Sequence, residues 1–193
     1  MNHPLGQVCA LLSALMWAGA LVLFKVSGER IGPLALNLFK TTVALALLGI
    51  TLGGLILGQQ DSLEPLRSLS PAHLGILLVS GVLGIALADT LFFHALNLIG
   101  VGLISIVDCC YAPCVILCSW LMLGEHLTGY HYVGAALVVV GVFTAERHTL
   151  PTDRTTGQIV GGMLLAVVAI ALMAFSVVWA KPVLESTSVM WGT

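Results

Sequence analysis

Apolar residues along this chain come in long unbroken runs, separated by short stretches that gather prolines and charges. About 20 consecutive apolar residues cross roughly 30 Å of hydrocarbon. About six runs qualify on that criterion: 7–24, 34–57, 74–96, 101–123, 132–145 and 159–180. The fifth is short, and 129–131 can extend it. All are expected to be α-helices, because lipid offers no partner to a free backbone amide or carbonyl. Stretches such as Leu137-Val138-Val139-Val140 lack the alternation of a membrane β-strand. The first run reads as a retained helix and not a cleaved signal, since no Lys or Arg precedes it and its apolar core is too long. Leu98-Ile99-Gly100 is the tightest connection and predicts that the third and fourth helices form an antiparallel hairpin. The longest, 58–73, holds Pro65 and Pro71. It fits either a solvated loop or an interfacial turn with Leu63, Leu66 and Leu69 towards the headgroups.

Composition narrows the class. Of 193 residues, 59% are hydrophobic and 8% charged, where a soluble domain carries about 25% charged. A soluble enzyme, a disordered tail and a secreted disulfide scaffold are excluded. A net charge of −2 with 7 Lys and Arg leaves no basic patch for a nucleic acid. No Gly-x-Ser-x-Gly, His-Glu-x-x-His or phosphate-cradling loop occurs, so neither enzyme chemistry nor a cofactor is expected.

A shift of 156 residues lays Lys181 on Lys25 and Glu185 on Glu29, and pairs Ala166 with Ala10, Ala174 with Ala18 and Val178 with Val22. The Lys and Glu matches carry weight because those residues are scarce. The sixth helix therefore reads as a second copy of the first. An odd number of spans between the two starts makes the second copy enter from the opposite side, an inverted repeat. Three parts are expected: a five-helix membrane module over 1–146, a polar linker over 147–158, and the first helix of an incomplete second module over 159–193.

Residues 87–143 resemble the EamA-type module of the drug/metabolite transporter superfamily. The resemblance rests on Phe92-Phe93-His94-Ala95-Leu96, Pro113 inside the fourth helix, Leu123-Gly124-Glu125, and Gly134 and Gly141 in the fifth. Trp17 and Lys25 fit the module's opening. The resemblance implies an all-α membrane protein of about six transmembrane helices here, against two full inverted modules in the family. It further implies movement of small metabolites, amino acids or drugs, often outward, through a bacterial inner (plasma) membrane.

Ionisable residues at membrane depth cost at least about 2.5 kcal/mol and so usually face protein or water. Lys40, Asp89, Asp108 and, nearer a helix end, Lys25 stand out. At 1.5 Å per residue from the face holding the Ile31-Gly32 and Ile99-Gly100 turns, Lys40 lies roughly 10 Å deep, Asp108 about 12 Å and Asp89 about 15 Å. Three groups near one level predict a polar centre lining a solute cavity, with Tyr111 as a further contact; the competing reading is an ion pair that only sets helix register. Asn97 lies two turns on from Asp89, on its face. His94 is turned about 140° away and reads as a packing residue. Glu125, beside His126 at the end of the fourth helix, reads as a solvated carboxylate. Pro113 frees the carbonyl of Cys109, so a bend is expected there.

Cys110, Cys114 and Cys118 share one helical face, but no zinc-type spacing with His partners accompanies them, and no metal site is expected. Gly54 and Gly58, and the stripe Ala10, Ala14 and Ala18, allow close helix approach. Trp17, Trp120 and Trp179 make only a partial aromatic belt. Lys25, Arg30, Arg147 and Arg154 on one face outnumber Arg67 and Lys181 on the other, which places the N-terminus outside. The family resemblance implies the opposite, and it is followed here.

The expectation is a secondary transporter, exporter or exchanger, of a small metabolite or drug-like solute by alternating access. Its partners are the lipid bilayer, the solute, and a second copy or a second half-module. The alternative is a non-transporting membrane component, whether an inactive fragment or a half-transporter that needs a partner. An intramembrane enzyme lacks a nucleophile and base at one level.

Overall fold

The computed structural model describes residues 4–57, 70–124, 129–149 and 155–186, and every element among them is helical. In chain order these are α1 (Pro4–Gly28), α2 (Pro33–Leu57), α3 (Pro71–Gly81), a π segment (Val82–Ala88), α4 (Asp89–Asp108), α5 (Tyr111–Leu123), α6 (Gly129–Thr149) and α7 (Thr156–Ser186). Leu63, Leu66, Leu69, Arg67, Glu125, His126 and Arg154 lie outside the described residues, and with them both readings of the long connection. Helix α6 carries on to Thr149 and α7 begins at Thr156, so helix occupies part of the stretch 147–158 read as linker.

Four stretches are long and apolar enough to cross a membrane: Leu11–Gly28, Pro33–Gly54, Pro71–Asp108 and Thr156–Glu185. Tyr111–Leu123 and Gly129–Gly141 are shorter apolar helices. Large side chains such as Leu11, Leu45 and Leu137 point out of the bundle. A continuous surface of that kind is untenable in water and suits acyl chains. The protein is an integral membrane protein.

The third span runs from α3 through the π segment into α4. Its start is set by Ser70, whose Oγ accepts the His73 amide at 3.3 Å, with Pro71 in the first turn. Wider π winding disturbs the carbonyl ladder. Asn37 of α2, only 4% exposed, meets the disturbed carbonyls: its amide nitrogen donates to Ile85 O at 2.7 Å and Ala86 O at 3.2 Å. The span ends at Gly100, whose φ of +82° is open to glycine and strained for other residues. Asp108 and Tyr111, after Gly100, line the same cavity as Gly84 and Ile85, before it. The chain has therefore doubled back, as the short Leu98-Ile99-Gly100 connection predicts. Beyond Asp108 the helix is interrupted at Cys109–Cys110, and Pro113 sits in the first turn of α5, where a missing N–H is tolerated. Gly124, φ +63°, closes α5 by donating its amide to Trp120 O.

Helix α7 lies antiparallel to the third span. Its Gly162 faces Leu98 and Ile99, while Ser176 faces Gly84 and Ser80. Ala166, Ala169 and Ala174 are wholly buried there, alongside Ile170 and Val178. Small residues bring backbones close enough for dispersion to hold helices together in lipid. Ser80 Oγ donates to Ser176 O at 2.8 Å, a polar latch inside that contact.

A Cβ built on Gly84 would fall on Ser176 Oγ. Gly84→Ala is therefore expected to destabilise the bundle by about 1–3 kcal/mol through overpacking. Thermal unfolding in detergent should show a Tm drop that Ser176→Ala partly restores; equal Tm for Gly84→Ala and the parent would refute the close contact.

Candidate functional site

A cavity of about 530 Å³ opens between α1, the third span, the α4–α5 junction and α7. Asp108 and Tyr111 stand at the junction, and Trp17 comes from α1. Ser80 and Gly84 line it beside Met173 and Ser176 of α7. The indole Nε1–H of Trp17 donates to Asp108 Oδ2 at 2.9 Å, fixing the carboxylate against α1. The shift that pairs Lys25 with Lys181 also pairs Trp17 with Met173, and both line this one cavity. Helices α1 and α7 carry similar intrahelical ion pairs, Lys25–Glu29 at 3.7 Å and Lys181–Glu185 at 3.8 Å.

Lys40 and Asp89 form an ion pair between α2 and α4. The Lys40 ammonium also lies 5.2 Å from the centre of the Phe93 ring, within cation–π range. The pair borders a separate, smaller cavity of about 220 Å³. So the structure brings two of the three deep charged groups together and sets the third apart. Asp89 faces α2; Asp108 faces α1. Between the two sites stand aromatic rings in contact: Phe93 meets Phe92 edge to face at 6.2 Å, and Phe92 meets Trp17 tilted at 6.5 Å between centroids.

Lys25 faces neither cavity. Its ammonium donates to Asn97 O at 3.1 Å, while Asn97 Nδ2 donates to Gly28 O at 3.1 Å. Each bond satisfies a carbonyl in the last turn of a helix, where no intrahelical amide is left for it. A cation there also suits the helix dipole. Gly28 permits the approach, because a Cβ on it would meet Asn97 Oδ1 at 2.5 Å. Asn97 thus joins α1 to α4 and is not a cavity residue. His94 is exposed and does not pack, because Phe92, Phe93, Ala95 and Leu96 take the inward positions around it.

Sequence reasoning missed Asn37, Ser80, Ser176 and Met173. Asn37, a polar amide in an apolar run one turn before Lys40, could have been found by treating neutral polar groups as strictly as charges. Met173 was available from the repeat by following Trp17 through the same shift. Two serines in this composition carry no signal of their own.

Comparison with known proteins gives no match among curated proteins and none among solved structures. The profile of the EamA-like transporter family matches residues 4–145, most of the chain. On this match the chain belongs to the EamA-like transporter family.

Proposed function

We propose that the protein moves a small metabolite or drug-like solute across a bacterial inner (plasma) membrane by alternating access, driven by a gradient. The observation that carries this reading is the cavity in which Trp17 of α1 and Met173 of α7 meet around Asp108, two positions that the 156-residue shift pairs and that we read as equivalent in an inverted repeat. Solute sites in secondary transporters lie at such repeat interfaces, near broken helices. Asp108 and Tyr111 contact the solute, and the interruption before Pro113 supplies the bend. Lys40 and Asp89 act from the neighbouring cavity as a coupling pair whose exchange of partners accompanies the conformational step. Lys25 holds a helix end.

The family reading also calls for a second module around α1. Ala174 and Val178 of α7 are buried, while their counterparts Ala18 and Val22 on α1 are exposed. Among the described residues Gly54 likewise has nothing against it. This open face supports a half-transporter completed by a second half-module or a second copy.

Purified protein in proteoliposomes under an imposed pH gradient tests the function, with uptake of radiolabelled amines, amino acids and aromatic drug-like solutes as the readout. Uptake of at least one class above protein-free vesicles is expected. If every class stays at the protein-free level while blue-native analysis shows an assembled dimer, the transport reading fails and the non-transporting component replaces it.

A further inference from the structure

We infer that the cavity between α1, the third span, α5 and α7 takes an organic monocation, a protonated amine or quaternary cation with an apolar body. The inference rests on the proposed role of that cavity as the solute site and specifies its substrate class.

Asp108 is the single charged group among the described residues that line the cavity. Its carboxylate accepts one hydrogen bond, from the neutral indole of Trp17, and enters none of the ion pairs among the described residues. Asp89 is in the opposite situation, since Lys40 lies directly on it. One neutral donor orients a carboxylate without cancelling its charge, and an uncompensated charge at membrane depth is costly. The cavity therefore lacks one positive charge, and a solute can supply it.

The walls define the rest of the solute. Ile85, Met173 and Val177 present hydrocarbon and a polarisable thioether. The rings of Trp17 and Tyr111 flank the carboxylate, and aromatic faces attract cations as well as apolar groups. A volume of about 530 Å³ suits a drug-sized molecule. An amino acid or an anion fits poorly. Its carboxylate would enter a space where no basic side chain among the described residues lines the wall, and Lys40 is engaged by Asp89 at the other cavity. A neutral solute would leave Asp108 without a counter-ion.

The test compares four ligands that share one phenyl ring: 2-phenylethylamine, its neutral N-acetyl derivative, zwitterionic phenylalanine and anionic 3-phenylpropionate. Equilibrium dialysis at neutral pH against the full chain in lipid nanodiscs, corrected with empty nanodiscs, reads binding without requiring transport. The amine is expected to bind at least about tenfold tighter than each of the other three. Asp108→Asn, which can still accept from Trp17, should erase that preference. Equal or tighter binding of the neutral, zwitterionic or anionic ligand by the parent protein overturns the inference, as does an amine preference that survives Asp108→Asn. The parent-protein comparison decides without any variant. Uptake of the same ligands in proteoliposomes separates the two readings. Selective amine binding without uptake sinks transport and leaves the cation site standing. Uptake with no amine preference does the reverse.

Discussion

Replacing Asp108 with Asn is expected to cut solute flux about a hundredfold while membrane insertion and detergent-solubilised yield stay at the parent level. The magnitude follows from losing one charged partner of a desolvated contact, about 2–5 kcal/mol, against about 1.4 kcal/mol per factor of ten. Insertion should be unaffected because Asn is nearly isosteric and its carbonyl can still accept the Trp17 indole N–H, now 2.9 Å from Asp108 Oδ2. Removing a charge from membrane depth also lowers the cost of insertion. Flux from inside-out vesicles, normalised to protein incorporated, is the measurement. Flux within twofold of the parent would remove Asp108 from the solute path. Trp17→Phe provides a graded companion: it removes the indole donor but keeps a ring, so a smaller loss is expected.

The second large effect concerns stability. Lys40→Met removes the cation from Asp89 and leaves a carboxylate facing α2 with no opposite charge. Breaking a fully buried pair costs about 3–5 kcal/mol. This pair is 26% and 15% exposed at its two side chains, so a smaller loss of about 2 kcal/mol is expected for the single variant. The double variant Lys40→Met with Asp89→Asn should recover most of that loss, since no charge is then stranded. Thermal unfolding in a single detergent checks both. Equal Tm values for the single and double variants would mean that the ion pair carries no net coupling between α2 and α4.

The spans and their turns were legible because each depends on a property that composition displays directly. Apolar length defines a span, and Leu98-Ile99-Gly100 is too short to do anything but reverse the chain. Lys25, Glu29, Lys181 and Glu185 suggest a repeat in the sequence because charges are rare enough here to make a coincidence informative. Direction around a helix axis was not legible. Asp89 and Asp108 belong to one helical element by range but lie on opposite sides of the Gly100 reversal, so depth placed them at one level and could not say which neighbour each faces. The π winding of Val82–Ala88 was invisible for a different reason: seven small and aliphatic residues satisfy either winding equally well. Its signature lay elsewhere in the chain, in the amide of Asn37.

That π segment joins two fastenings. On one side Ser80 is latched to Ser176, and on the other Asp89 is bound to Lys40. A π turn holds more residues than an α turn. Trading one winding for the other would twist the two fastenings relative to each other, as wringing a cloth turns its two ends. Asn37, by donating to Ile85 O and Ala86 O, ties that winding to α2 between the two fastenings.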